Sequence, residues 1–361
     1  MQVEIRLLAL PVSAVLGAAH DPTPDSERLL TVVRIESEDG QLGWGECSAL
    51  NRVGYTSEDA RSAYDLLRGD PRLAAAGSGD ELRSEAPMAM AALEMAEFDM
   101  RLKAQNISLA SYLGVRRTIV PAGAVIPLGS LVQTVEAVQL AADEGFSRVK
   151  LKVDPRSAVD PVELVARVVG GFPDIEVVVD ANASFDADSA PQVEGMSAAG
   201  ASAIEQPFPV HEVALAAALV ERGLHVIADE AVISLDAVQD LVANRACTGV
   251  VVKSSRLGGL FPAFEMLGWC LENGVAAAAG GMQESGLGRA ALAVVAAHDA
   301  CTLTGDVSPA RRWLAQDPWD DLQLQNGEIL VPTGAGVAPP PDPTLLDRFT
   351  IASDQRIVGT S

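Results

Sequence analysis

Five short apolar runs in this chain each end on charge. They are Arg148-Val149-Lys150-Leu151-Lys152, Val177-Val178-Val179-Asp180, Ala203-Ile204-Glu205, Val226-Ile227-Ala228-Asp229 and Val250-Val251-Val252-Lys253. In order, the ends supply lysine, aspartate, glutamate, aspartate and lysine. Lys150 and Lys152 alternate with Val149, Leu151 and Val153, so the two lysines share one face of a strand. Three carboxylates gathered in one place repel one another unless a cation lies among them. Oxygen donors with no histidine or cysteine nearby select a hard ion, Mg2+ first and Mn2+ second. A divalent cation also makes a neighbouring lysine easier to deprotonate, which suits it to act as a base near neutral pH. Such a pair fits removal of a proton next to a carboxylate, because the metal offsets the charge that develops on the carboxylate oxygens. Glu230 follows Asp229, and either could be the third ligand; the strand pattern puts Asp229 at the end. One strand ending in aspartate says little in a chain with 49 acidic residues. An ordered set of five, each one repeat apart, is hard to obtain from solvated faces alone.

The elements that would gather these ends alternate between strand and helix. Strands are expected near 119–126, 148–153, 175–180, 202–205, 225–229, 249–253, 275–279 and 301–304, with seven helical stretches between them. The repeat of about 25 residues is tighter than the roughly 30 of a typical TIM barrel. Apolar strands joined by long crossovers form a parallel sheet. Eight units favour a closed barrel, whose C-terminal strand ends all converge on one mouth. The predicted fold is α/β, a modified TIM barrel of (β/α)7β form over residues 118–305. Residues 1–117 read as an α+β capping domain, with strands at 3–8, 29–35 and 42–47 followed by helices at 57–67, 86–103 and 108–113. The methionines of the second helix read as core. The tail, 306–361, is expected to return to the capping domain.

The bulk composition narrows the partners. A net charge of −23 argues against nucleic acid and against an anionic membrane surface. No apolar run reaches the length of a membrane span. Residues 7–19 faintly resemble a secretory leader, but Arg6 is balanced by Glu4, Pro11 interrupts the run, and Val3, Ile5 and Leu7 alternate as in a strand. Four cysteines are scattered without a CxxC pair. These features predict a cytoplasmic protein, the strand-end chemistry predicts a small-molecule carboxylate substrate, and the oligomeric state stays open.

At the charged ends the sequence resembles the enolase superfamily. The matching strings are Lys150-Leu151-Lys152, Asp180-Ala181-Asn182, Glu205-Gln206-Pro207, Asp229-Glu230 and Lys253. The resemblance runs over most of the chain. It implies Lys152 as base, Asp180, Glu205 and Asp229 as Mg2+ ligands, and Lys253 as the opposing lysine; lysine bases paired with Mg2+ are a known arrangement of such sites. Lys150 would assist Lys152 through like-charge proximity. Two lysines and a third-ligand aspartate point to the muconate-lactonizing-type subgroup. Within it the chain is most similar to the o-succinylbenzoate synthase branch, through Lys253-Ser254-Ser255-Arg256, Gly280-Gly281-Met282-Gln283-Glu284-Ser285-Gly286 and Leu330-Val331-Pro332-Thr333-Gly334. This implies a dehydrating lyase of menaquinone biosynthesis, with substrate contacts from Arg256, Gly281, Met282 and Tyr55. Tyr55 reads equally well as a surface aromatic. Three departures bear on the substrate: Ala231 in place of a usual Ser, Ser254-Ser255 in place of Pro-Gly, and an unmatched segment at residues 14–22.

Two rival functions follow. One is racemisation of N-succinylated amino acids, using Lys152 and Lys253 on opposite faces; muconate cycloisomerisation is a weaker variant of the same kind. The other is a non-catalytic acidic binding protein on the same fold. Gly286-Leu287-Gly288-Arg289-Ala290-Ala291 matches a dinucleotide-binding pattern, but its glycines lie several residues past the strand. An amide nest for a substrate carboxylate and a plain helix start both remain open for it. The four histidines show no metal-binding spacing.

Overall fold

The structure is a computed structural model that describes residues 1–13, 26–69 and 83–357. The unmatched segment at 14–22 and His20 lie outside the described residues.

Strands β1 (Gln2–Pro11), β2 (Glu27–Glu36) and β3 (Leu42–Cys47) form an antiparallel meander. Helix α1 (Ala60–Gly69) and helix α2 (Pro87–Gln105) cover it. The close fit of α2 on β3 follows from two glycines. A Cβ at Gly45 would lie 1.9 Å from the Ala92 carbonyl oxygen, and one at Gly43 would lie 2.1 Å from that of Ala96. The alanines of α2 therefore rest directly on strand backbone, and Met88 and Met95 are buried. A short helix, α3 (Leu109–Tyr112), follows, capped by Ser108.

The expected strand at 119–126 is two strands. β4 (Ile119–Pro121) pairs antiparallel with β13 (Glu328–Leu330), which pairs with β12 (Leu324–Gln325). β5 (Gly123–Ile126) opens the parallel sheet. The β4 ladder runs one residue past Pro121, where the Ala122 amide donates to Gly327 O (2.8 Å), and the chain then changes partner at Gly123, whose amide donates to Val307 O.

The parallel sheet continues through β6 (Arg148–Lys152), β7 (Glu176–Asp180), β8 (Ala203–Glu205), β9 (Val226–Ala228), β10 (Gly249–Val252) and β11 (Ala276–Ala279), neighbours in sequence pairing in space. Around it lie α4 (Leu131–Asp143), α5 (Pro161–Gly171), α6 (Ala190–Ala198), α7 (Val213–Glu221), α8 (Leu235–Ala243), α9 (Leu260–Asn273) and α10 (Gly286–Ala296). Side chains of Ser130, Asp160, Ser234 and Ser285 cap the N-termini of α4, α5, α8 and α10. Helix α10 is buried along its whole length.

The expected eighth strand is not a regular strand. The segment 300–307 closes the ring with scattered bonds: the Leu303 amide to Ala277 O (3.1 Å), the Asp306 amide to Ala279 O (2.9 Å) and the Gly123 amide to Val307 O (3.2 Å). Gly305 and Gly123 permit the closure. A Cβ at Gly305 would meet Ala279 O at 2.2 Å, and one at Gly123 would meet Gly305 O at 2.2 Å.

Strand parity places the charged ends inside. Val149 and Leu151 join the large core outside the sheet, whereas Val178, Ala203, Ile227 and Val251 form a small apolar layer within it. Asp180, Glu205, Asp229 and Lys253 stand two residues further along each strand, one layer above. After α11 (Pro343–Phe349), strand β14 (Thr350–Ile357) pairs antiparallel with β1 and completes the N-terminal sheet. Among the described residues no helix is long and apolar enough to cross a membrane.

Candidate active site

The register of the parallel sheet sets Lys152 beside Asp180 and Asp180 beside Glu205. Glu205 pairs with Ile227, so Asp229 projects two residues beyond it. Tight turns follow these ends: Asn182, Ala183 and Gln206 have φ of 42°, 58° and 36°, a left-handed backbone that non-glycine residues seldom adopt. The turn after β8 returns Gln206 Oε1 to accept from the amides of Asp229 (3.0 Å) and Ala231 (3.2 Å), which fixes the end of β9.

Two sets of cations serve the carboxylates. Lys150 is buried and donates to Glu205 (2.7 Å) and Asp306 (2.6 Å), with Asp180 at 3.5 Å. Burial alone would lower its pKa, but Asp306, Glu205 and Asp180 outweigh this and raise it well above the usual value. Its charge is thus largely compensated where it stands. Lys152 reaches the cavity and donates to Asp180 (3.1 Å) and to Asn182 Oδ1 (2.5 Å). On the far side Lys253 donates to Asp229 (2.6 Å) and to the Tyr55 hydroxyl, and Tyr55 donates to Asp229. Arg256 donates to Asp229 Oδ1 (2.9 Å) and to its carbonyl (2.6 Å).

The negative charge is unevenly met. Burial raises the carboxylate of Asp229, but Lys253 and Arg256 reverse this and hold it well below the ordinary range. Burial pushes Glu205 up to about 8 and Glu230 up to about 7. Glu230 accepts from Asn182 Nδ2 (3.0 Å), while its other oxygen is buried with no hydrogen-bond partner among the described residues. Incompletely compensated oxygen donors on three adjacent strand ends fit a hard divalent cation. The side chains nevertheless turn toward lysines: among the described residues no three acidic, histidine or cysteine groups converge as a ready ligand set.

A cavity of about 910 Å³ lies over these ends. Lys150, Lys152, Asp180 and Lys253 line it from the strands, and Tyr55, Gly281 and Met282 from the loops. Glu205 and Asp229 stand behind these lysines and Tyr55. Arg256 borders a neighbouring cavity of about 810 Å³ that Tyr55 also lines. The Met282 side chain is packed into the N-terminal core cluster. A Cβ at Gly281 would come within 2.8 Å of the Arg289 guanidinium.

Helix α10 decides between the two readings of its glycine-rich start. The amides of Ser285 and Gly288 and the Ser285 hydroxyl donate to Glu46, and the Gly286 amide donates to Asp317 (2.7 Å). The nest exists, but carboxylates of this chain fill it, so it is not a substrate site. Asp306, held by Arg148 (3.1 Å) and Lys150, was not picked out from sequence as a site residue. The same strand-end logic finds it once the irregular segment 300–307 is counted as the eighth unit. Arg289, which donates to the Asp306 carbonyl (2.6 Å), carried no such signal.

The comparisons with known proteins agree with this architecture. A family model described as "Enolase C-terminal domain-like" matches residues 133–344. The chain is similar to an N-succinylamino acid racemase of Amycolatopsis sp, at 33% identity over 97% of each chain. It is also similar to an o-succinylbenzoate synthase of Enterococcus faecalis, at 31% identity over 86% of this chain and 88% of the other. A solved member of the enolase superfamily from Listeria innocua superposes with a TM-score of 0.89 at 25% identity, covering 99% of each chain. With a parallel barrel whose strand ends carry lysine and carboxylate in this order, and relatives that are enzymes of the same fold, the chain belongs to the enolase superfamily.

Proposed function

We propose that this chain is a Mg2+-dependent carbon–oxygen lyase that forms o-succinylbenzoate from 2-succinyl-6-hydroxy-2,4-cyclohexadiene-1-carboxylate, a step of menaquinone biosynthesis in the cytoplasm. The observation that carries the reading is the placement of Lys152 and Lys253. Lys152 ends β6 and Lys253 directly follows β10, four positions apart in a ring of eight, and both face one cavity with the carboxylates between them. In this reading residues 118–305 supply the reacting groups, residues 1–117 supply Tyr55 as part of a cap, and residues 306–361 return to that cap.

Asp180, Glu205 and Asp229 would hold the ion. When bound, Mg2+ would supply positive charge at the substrate carboxylate. Neutral Lys152 takes the proton α to that carboxylate, and the C–H electrons pass into the carboxylate as an enediolate; they then form the new ring double bond as the C–O bond on the same face breaks, a syn-dehydration. The Lys152 ammonium returns its proton to the departing hydroxide, which leaves as water, so the lysine ends neutral on the face where it began. Lys253 offers positive charge from the opposite face without transferring a proton. Asn182 and Asp180 hold Lys152 in place.

The test is o-succinylbenzoate formation with Mg2+ and with excess chelator. Fast turnover that chelator abolishes supports the reading; no turnover in protein that still binds Mg2+ overturns the substrate. A second reading, racemisation of N-succinylamino acids, is supported by the same opposed lysines and by the similarity to the Amycolatopsis protein. It predicts solvent deuterium at Cα of both enantiomers.

A further inference from the structure

One buried arginine belongs to neither the acid–base nor the carboxylate set. Arg28 lies near the start of β2 and is 3% exposed. Its guanidinium donates almost entirely to backbone carbonyls. Nη1 reaches Leu29 O (2.7 Å) and Ala49 O (2.7 Å), Nη2 reaches Ser48 O (2.7 Å) and Met282 O (3.1 Å), and Nε reaches Gln283 O (3.3 Å). Burial lowers its pKa to about 10, which leaves it charged at neutral pH.

Apart from that of Leu29, the carbonyls belong to two segments far apart in sequence. Ser48 and Ala49 lead into the loop that carries Tyr55. Met282 and Gln283 belong to the loop after β11, where Gly281 and Met282 line the cavity. The five donors of a guanidinium lie in one rigid plane, so a single group can fix the mutual position of both loops. The neighbouring contacts work in the same direction. Asn51 Oδ1 accepts from the Leu29 amide (2.8 Å), and the Met282 amide donates to Glu284 (2.7 Å). Met282 then packs into the cluster that also holds Tyr55 at its edge.

We propose that Arg28 is a positioning residue that sets the width of the substrate cavity between the Tyr55 loop and the Met282 loop. It touches neither the reacting atoms nor the metal ligands. It acts on substrate fit through the two loops it joins. The effect on turnover rests on the function proposed above; the effect on the loops does not.

The test compares Arg28→Lys and Arg28→Met with wild type by amide hydrogen exchange on the Mg2+-loaded full chain, and by kinetics on both proposed substrates. In Arg28→Met, exchange in residues 48–56 and 280–285 should rise at least tenfold, with β6 to β10 unchanged. KM should rise about tenfold or more while kcat falls less than threefold, and Arg28→Lys should recover part of both effects. Unchanged exchange in the two segments overturns the proposal, as does an equal rise across β1 to β3, which would make Arg28 a support of the sheet alone. A kcat loss with constant KM also overturns it. If Arg28→Met does not fold, Arg28→Lys carries both readouts under the same criteria. Wild type that turns over neither substrate refutes the proposed function, and the exchange arm then decides the role of Arg28.

Discussion

Chemistry in this molecule is set by which carboxylate receives which cation. Lys152 is half-buried, reaches the cavity and is held there by Asp180 and Asn182, which leaves it able to meet a substrate. Lys152→Ala should lower kcat by about 10^2–10^4-fold, the usual weight of a general base, with the protein still folded by circular dichroism. Asp180→Asn tests the metal without activity. Wild type should gain about 2.7 kcal/mol of unfolding free energy at a hundredfold excess of Mg2+ over Kd, and the variant should gain much less in the same titration. Lysine, aspartate and glutamate at successive strand ends were legible in the sequence because strand parity is enough to put them on one inner face. Their pairing was not. That Lys150 would be enclosed by Asp306, Glu205 and Asp180 depends on how the ring closes, and no local pattern encodes the closure.

At the scale of elements, two of the contacts that hold the N-terminal sheet to its neighbours are open to test. The first is the seat of α2 on β3. Gly45→Ala would drive a methyl group into the Ala92 carbonyl, which is backbone and cannot rotate away. A loss of about 1–3 kcal/mol or more is expected, read as a lower urea midpoint. The second is Glu46, which caps α10 from the end of β3. Burial pushes it up to about 8, against roughly 4.3 in an unfolded chain. Between those values the folded protein binds the extra proton. Its contribution to stability is therefore complete below about pH 4.3 and is lost as pH rises toward 8. Glu46→Gln should flatten the decline in unfolding free energy between pH 5 and pH 8, measured by denaturant titration; an unaltered slope would assign the decline to other groups. The alternation of β and α elements was plain in the sequence, since apolar periodicity carries it. The split at Pro121 and the irregular segment 300–307 were missed for one reason. A change of pairing partner, or a closure that glycine permits, leaves the apolar pattern around it unchanged, and pattern is what a sequence reading uses.

The whole molecule is stitched from both ends. Gln2 pairs with Ile357 and Leu8 with Thr350, so the last strand of the described chain protects the edge of the first. Truncation after Phe349 should expose that edge. The expected result is concentration-dependent self-association by size-exclusion chromatography, with faster amide exchange in β1 than in β6 to β10. The N-terminal hydrophobic cluster tells a related story about time. It is built from β1, β2, β3, α1 and α2, yet it also includes Met282 from the loop after β11, far along the chain. During synthesis the first hundred residues emerge long before residue 282 does, and their apolar cluster stays incomplete through most of translation. The part of the protein that is made first is thus finished late. A substitution at Met282 should act on folding yield in the cell as much as on the site it borders.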